Sequence, residues 1–442
     1  MNRRAFLGVS LATAAIWGGG KGFSAGLPSN RVRLAIMGCQ PRGRGFHLMK
    51  TAAKLPGVEI ATVCDVDSRA SRNAVATIER MTGKRPREEA DIRRVLEDPA
   101  LDGVICAAPD HWHAPAAWMT MQAGKAIYVE KPCAHNPREG EILVKVARQT
   151  GMPFQMGNQR RSSLVFRQAV KEISEGVIGK TCYARCWYMS NRRPIGKGRE
   201  TPVPEWLNWK LWQGPAPERP FRNNLVHYNW HWFKHWGTGE AGNNATHFLD
   251  IARWAMRATF PKRVTSAGGR YFHGGDDWEW YDTQNASFEF EGGKMIHWEG
   301  LSSANGRFIE GFSSGALVYG TRGSVLFAPD NSCTLYSKEG KRVRRWSGRN
   351  VEAVEMSSTV NPTGSLDQFH LGNWVDAIRD PSRRTASPAC EAYRSTLLPC
   401  LANIAVETGE TVRLDPATGR LLTRCAEKLW SREYAKGWEV KL

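Results

Sequence analysis

The sequence predicts an α/β protein in two parts, a doubly wound parallel sheet of nucleotide-binding type followed by an α+β domain with a largely antiparallel sheet. Three observations carry this. Short apolar runs alternate with helical segments over residues 31–157, as strand-helix-strand units require. Beyond about residue 180, strands follow one another closely, with turn residues between them. A chain of 442 residues also exceeds what one hydrophobic core usually supports.

In the first part, strands are expected at 32–38, 58–66, 104–108, 126–130 and 154–157. Helices are expected at 46–55, 70–81, 92–96, 114–123 and 138–149. The strand at 126–130 runs into Glu130-Lys131-Pro132. Proline cannot donate to a ladder and restricts Lys131 to extended geometry. A lysine therefore stands at the carboxyl end of a strand, where open α/β sheets place their working residues. In the second part, a helix at 163–175 leads to a strand at 181–189 and a long aromatic loop, 191–236. A helix at 243–256 precedes strands at 263–272, 283–290, 294–299, 308–312, 316–319 and 324–327, and helices at 367–379 and 391–407 come near the end.

Hydrophobic residues make up 41% of the chain and charged residues 24%, which describes a folded globular protein. The net charge of +18 is scattered over residues such as Arg69, Arg93, Arg263 and Arg344, without a long basic run. This argues against nucleic-acid binding and for a solvated basic surface, compatible with attraction to acidic glycans. Arg3-Arg4 precedes a weakly apolar run, 7–16, too short to span a bilayer. Residues 1–26 thus read as a twin-arginine export signal, and the protein as periplasmic or otherwise exported. No later stretch is apolar enough for a membrane span. The ten cysteines contain no CxxC and read as buried free thiols rather than disulfides or a zinc site.

Gly38-Cys39-Gln40-Pro41-Arg42-Gly43-Arg44-Gly45 follows the first strand. A glycine turn there lets the backbone approach a pyrophosphate and aims a helix N-terminus at it. Gln40 occupies the second glycine position, so the strict pattern is broken. Asp65 stands at the end of the second strand, where a carboxylate accepts from ribose hydroxyls and repels a 2′-phosphate. NAD is therefore expected over NADP, with Arg69 keeping NADP as a minority option. Pro109-Asp110-His111-Trp112-His113 follows the next strand, again on the ligand edge of the sheet.

These motifs, together with Gly157-Asn158-Gln159-Arg160-Arg161 and the stretch from Gly237 through His247 to Asp250, resemble the Gfo/Idh/MocA oxidoreductase family over essentially the whole mature chain. The resemblance implies a Rossmann domain at 31–158 and a substrate-binding and oligomerisation domain at 159–442. The latter would carry a large, mostly antiparallel open sheet supporting a homodimer or tetramer, with terminal helices able to pack back on the Rossmann domain. It further implies a cis Lys131-Pro132 bond with Lys131 beside the substrate hydroxyl, and His247 as catalytic histidine. The family's usual aspartate is Asn243 here. The cofactor set expected is Gly38, Gln40, Arg42, Gly43, Asp65, Pro109, His113, Glu130 and Lys131.

Oxidising a secondary alcohol sends hydride to the nicotinamide and the hydroxyl proton to a base. His247 suits the base, Lys131 the stabilisation of alkoxide charge, and Asn243 the orientation of sugar or imidazole, because an amide cannot take the proton. Asn243 and His247, four residues apart, fall on one helix face. The loop tryptophans, among them Trp206, Trp209, Trp212, Trp230, Trp232 and Trp236, serve equally well as a sugar-stacking platform or as a cluster holding the loop to the sheet. Arg160, Trp230 and Trp232 join Asn243 and His247 as the expected substrate contacts. His227, His231 and His235 recur every four residues, but Gly237 and Asn223-Asn224 argue against the helix a metal site would need, and no metal is expected.

The expected activity is NAD-dependent hydride transfer at a secondary hydroxyl of a sugar, glycoside or polyol, with the cofactor tightly held. The alternatives are a redox-assisted glycosidase or lyase, and a non-catalytic glycan-binding scaffold with Gln40 and Asn243 as marks of decay.

Overall fold

The computed structural model describes residues 31–347, apart from 305 and 308, and residues 364–441. The export signal expected at 1–26 lies outside the described residues.

The first half runs β1 (Val32–Met37), α1 (Arg44–Ala52), β2 (Val58–Cys64), α2 (Ser68–Thr82), β3 (Arg87–Glu89), α3 (Ile92–Leu96), β4 (Gly103–Cys106), α4 (Asp110–Gln122), β5 (Ala126–Val129), α5 (Pro137–Thr150) and β6 (Phe154–Met156). The strands pair in parallel in the order β3-β2-β1-β4-β5-β6. Strand order reverses between β1 and β4, which opens a crevice at their carboxyl ends. Helices α2 and α5 begin where side chains satisfy free amides: Asp67 accepts from the Arg69 amide at 2.9 Å, and Asn136 from that of Glu139 at 3.1 Å. α4 starts at Asp110, earlier than expected, because extended Pro109 delivers a carboxylate to its first turn.

The second half adds α6 (Leu164–Ser174), β7 (Thr181–Met189), α7 (Trp209–Gln213), α8 (Thr246–Ala255), β8 (Arg263–Gly269), β9 (Thr283–Phe290), β10 (Lys294–Leu301), β11 (Ser314–Gly320), β12 (Gly323–Phe327), β13 (Cys333–Ser337), β14 (Arg342–Trp346), α9 (Gly364–Arg379), α10 (Ala389–Thr408) and β15 (Val412–Arg413). Its nine strands pair in the order β14-β13-β12-β11-β7-β10-β9-β8-β15, antiparallel except for β7 beside β10. One sheet face packs against α6, α8 and α10 through Phe166, Phe248, Phe288, Trp298, Phe327 and Leu401.

Four strands, β3, β13, β14 and β15, escape the sequence pattern, three of them for local reasons. β3 is three polar residues, β14 is an arginine-rich sheet edge, and β15 is two residues long. The strand expected at 308–312 is instead a 3₁₀ turn, Ile309–Gly311, with Glu310 at φ 53. Late in the chain, α9 returns to the first half. Its Leu371, Trp374 and Val375 share a core with Leu34, Ile36 and Tyr128. Gly103 admits the Trp374 ring, which lies 3.1 Å from where a Cβ would stand.

Candidate active site

A single cavity of about 810 Å³ runs from the glycine turn after β1, along the carboxyl ends of β4 and β5, to α8. At its first end Gly38 (φ 81) crosses beneath the Ala107 carbonyl, and Gly45 opens α1 where a Cβ would collide with the Gly38 carbonyl. The Gly43 amide closes the turn onto the Gln40 carbonyl at 2.7 Å, so the missing second glycine is replaced by a tight turn with Arg42 at φ 68. Asp65 lines the same cavity, and its carboxylate accepts from the Cys39 and Asp67 amides at 2.7 and 2.9 Å. Burial pushes its pKa up, while these amides oppose that rise. These glycines and this carboxylate fit a dinucleotide: backbone close to the pyrophosphate, a helix N-terminus facing it, and an acceptor for ribose hydroxyls.

Lys131 sits beyond the end of β5, joined to Pro132 by a cis bond. Its ammonium donates to the Asn243 main-chain oxygen at 2.7 Å and to the Asn243 Oδ1 at 2.9 Å. Burial lowers its pKa, and nearby Glu130 and Asp110 oppose that. Glu130 accepts from Arg44 Nε at 2.8 Å, and Arg44 is also clamped by buried Asp367 from α9. Glu130 therefore reaches the cavity as a carboxylate already held by a protein cation. His113 is likewise committed, since its ring nitrogens face the Pro132 oxygen at 2.6 Å and the Ala108 oxygen at 2.8 Å. These contacts tie the Lys131-Pro132 turn to the end of β4, and the ring also lines the cavity.

The segment before α8 is a π-helical turn, Ala241–Ala245, which carries Asn243. His247 follows in the first turn of α8, and both residues line the cavity. His247 Nδ1 is buried and has no hydrogen-bond partner among the described residues. Burial, then the charges of Lys131 and Arg160, push the imidazole well below its usual pKa and keep it neutral.

The aromatic loop divides in two. Trp209, Trp212, Trp230 and Trp236 pack with Leu207, Phe221 and Phe233 in a cluster of their own, and only Trp212 and Trp230 of these also line the cavity. Trp232, expected to stack on substrate, is instead buried and stacked on Trp278 at 4.1 Å, away from the cavity wall. An apolar cluster and a sugar platform have the same composition, which is why sequence alone leaves them even. The loop also straps onto the end of β2. The Ser68 amide donates to the Trp206 oxygen, and His227 Nε2 meets Asp67 Oδ2, both at 2.9 Å. Arg69 pairs with Asp67 and lies 3.5 Å from the Trp206 ring, so its guanidinium is engaged on both sides.

Two regions of this chain match family models: residues 32–158 an oxidoreductase family model with an NAD-binding Rossmann fold, and residues 211–326 the GFO/IDH/MocA C-terminal domain. Together they take in just over half of the sequence. The chain belongs to the Gfo/Idh/MocA oxidoreductase family. Among its curated relatives is a scyllo-inositol 2-dehydrogenase (NAD(+)) of Bacillus subtilis, 31% identical over 155 residues, 35% of this chain and 43% of that protein. A glycosyl hydrolase family 109 protein of Stenotrophomonas maltophilia is 26% identical over 209 residues, 44% of each chain. The matched stretch thus spans less than half the length of these relatives. The fold is that of a levoglucosan dehydrogenase solved with NADH and levoglucosan, with a TM-score of 0.66 at 17% identity, over 87% of this chain and 99% of that one.

Further groups complete the cavity wall, among them Arg192, which no sequence motif marks. Arg192 donates to Glu240 at 2.7 Å and to the Tyr228 hydroxyl at 2.8 Å, and Tyr228 stands against the Asn243 amide. His231 stacks on Trp230 at 3.6 Å, with Nδ1 on the Tyr228 oxygen and the ring lining the cavity. His235 instead meets the Pro217 oxygen at 2.7 Å, so the three evenly spaced histidines have separate partners. Among the described residues, no group of three or more His, Cys, Asp or Glu side chains could hold a metal. Tyr228, with the loop tryptophans, and His231, in the evenly spaced histidine series, already stand out in the sequence; Arg192 carries no such signal.

Proposed function

We propose that this protein is an NAD-dependent oxidoreductase that moves hydride between the nicotinamide and a secondary hydroxyl of a sugar, glycoside or polyol. The observation that carries it is the placement of Lys131, Asn243 and His247 on one cavity with the glycine turn and Asp65. Gly38, Gly43, Gly45 and Asp65 would hold NAD, which supplies the hydride acceptor when bound.

The remaining work falls to side chains of this chain. Two of the three Lys131 ammonium hydrogens are taken by Asn243, which aims the third at the cavity. It donates to the reacting hydroxyl oxygen and stabilises alkoxide charge as the C–H bond breaks. His247, held neutral, takes the hydroxyl proton. The Arg192–Tyr228–Asn243 chain fixes the amide that orients Lys131. The experiment is to add a panel of glycosides and polyols to the purified protein and follow reduced nicotinamide. No reduction by any of them, with NAD present in the protein, contradicts the proposal.

A second reading is a redox-assisted glycosidase, favoured by the glycosyl hydrolase family 109 name of several relatives and by the phenol of Tyr228 and imidazole of His231 on the same cavity wall. Oxidation of a ring carbon acidifies the neighbouring C–H, elimination releases the aglycone, water adds, and the ketone is reduced again. Aglycone release without net reduction distinguishes it. The twin arginine supports export and, with the loop strapped over β2, a cofactor retained between turnovers.

A further inference from the structure

The two neighbouring arginines after β6 have opposite fates. Arg161 is buried and meets two carboxylates, Asp250 at 2.8 Å and Glu391 at 3.2 Å. Arg160 is 7% exposed, yet no carboxylate lies within ion-pair distance of it among the described residues. Among the described residues its side chain makes a single hydrogen bond, from one guanidinium nitrogen to the Pro329 main-chain oxygen at 3.2 Å, and packs 5.0 Å from the Phe248 ring. A guanidinium carries five N–H donors in a planar fork, so most are left without a protein acceptor on the cavity wall.

A buried cation without a partner is unfavourable, and a chain that keeps one beside a cavity does so at the expense of stability unless a ligand completes it. Burial pulls this arginine down to about 10, with Asp330 the only nearby charge opposing the shift. Asp330 is itself engaged by Arg345 at 3.0 Å and by the Ser332 hydroxyl at 2.6 Å. Ser314, which begins β11, lines the cavity with a buried hydroxyl that has no hydrogen-bond partner among the described residues. The other acids on or beside the cavity are also taken, Glu130 by Arg44, Glu240 by Arg192, Asp110 by the Thr238 amide, and Asp65 by the Cys39 and Asp67 amides. Among the described residues, no free carboxylate is left to face the Arg160 fork.

We propose that the substrate is an acidic sugar, whose carboxylate is received by the guanidinium fork of Arg160 with help from the Ser314 hydroxyl, while its secondary hydroxyl lies at Lys131 and His247. A carboxylate matches the fork in geometry and charge, and a neutral hydroxymethyl group does not. The inference rests on the oxidoreductase reading and names its substrate class. The formal charge of +18 adds a field that favours approach of an anion.

The test uses cofactor-loaded full-length protein with methyl glycosides of glucose and galactose, set against the matching glucuronate and galacturonate. Reduced nicotinamide gives kcat/KM, and tryptophan fluorescence gives binding. The account expects a preference for at least one uronate over its neutral partner of about tenfold or more, the scale of one charge-assisted hydrogen-bonded pair. Arg160→Gln collapses that ratio towards one, and Arg160→Lys keeps part of it. If neutral glycosides reduce the cofactor as well as uronates do, this inference falls and the oxidoreductase reading stands. If no sugar of either kind reduces the cofactor, both fall. Should Arg160→Gln fail to fold, the wild-type ratio and competition of free uronate against a neutral substrate decide, with absence of competition overturning the inference.

Discussion

Lys131 Nζ is held by two oxygens of one residue, the main-chain oxygen of Asn243 at 2.7 Å and its side-chain Oδ1 at 2.9 Å. One residue of the π turn before α8 therefore sets the direction of the lysine at the end of β5. Because the partner is an amide, it orients the ammonium without neutralising it.

Replacing that lysine tests the arrangement directly. Lys131→Met removes the donor to the reacting oxygen and lowers kcat by about 10²- to 10³-fold. The glycine turn is untouched, so NAD content of the purified variant stays at the wild-type level. Loss of cofactor and activity together would assign Lys131 to cofactor binding instead.

Asn243→Asp places a carboxylate beside Lys131 and His247. A negative charge favours the protonated imidazole, so the acid limb of the pH-rate profile moves to higher pH than in the wild type. In the wild type His247 is held well below its usual value, so oxidation is flat through neutrality and falls only in acid. His247→Ala removes the base, lowers the rate by about 10²- to 10⁴-fold, and abolishes that limb. An unchanged limb in this variant contradicts the assignment.

Cofactor choice follows from Asp65 and Arg69. Asp65→Ser weakens NAD binding by roughly tenfold, one hydrogen bond to a charged acceptor. It brings little gain for NADP, because Arg69 is already paired with Asp67 and stacked on Trp206. Titration of the apoprotein with both dinucleotides measures this, and strong NADP binding by the variant would contradict it.

Much of the fold was legible because its signals are local. The β-α alternation, the glycine turn, Asp65 and the Lys131-Pro132 strand ending lie in one continuous stretch, and Asn243 and His247 fall in a single helical run. What stayed hidden is assembled from distant segments. Arg192 follows β7 and Ser314 begins β11, and nothing in their neighbours marks them as facing the cavity that Tyr228 and His231 of the aromatic loop also line. Trp232 was misplaced for the complementary reason: its surroundings look like a sugar platform, while Trp278, 46 positions later, turns it inward.

Stability should show the buried histidine at the junction of the two halves. His370 donates from Nε2 to the Met156 oxygen at 2.8 Å and accepts at Nδ1 from the Ser162 hydroxyl at 2.7 Å. Burial brings it down to about 4, so between the unfolded value near 6.5 and that point the unfolded chain binds a proton that the folded chain does not. Stability is full above that window and falls as pH drops through it, by on the order of 3 kcal/mol. Urea unfolding at a series of pH values, with His370→Gln showing a shallower decline, checks this. Equal slopes would place the acid lability elsewhere.

The most direct measurement is the absorbance of reduced nicotinamide in the purified, cofactor-loaded protein when uronates and neutral glycosides are added in turn, for wild type and Lys131→Met side by side. The account predicts that the wild type develops the reduced band with at least one sugar and that the variant, with equal NAD content, barely does. A wild type that never develops the band, or a variant that develops it at the wild-type rate, would contradict the central claim that Lys131 works between nicotinamide and a sugar hydroxyl.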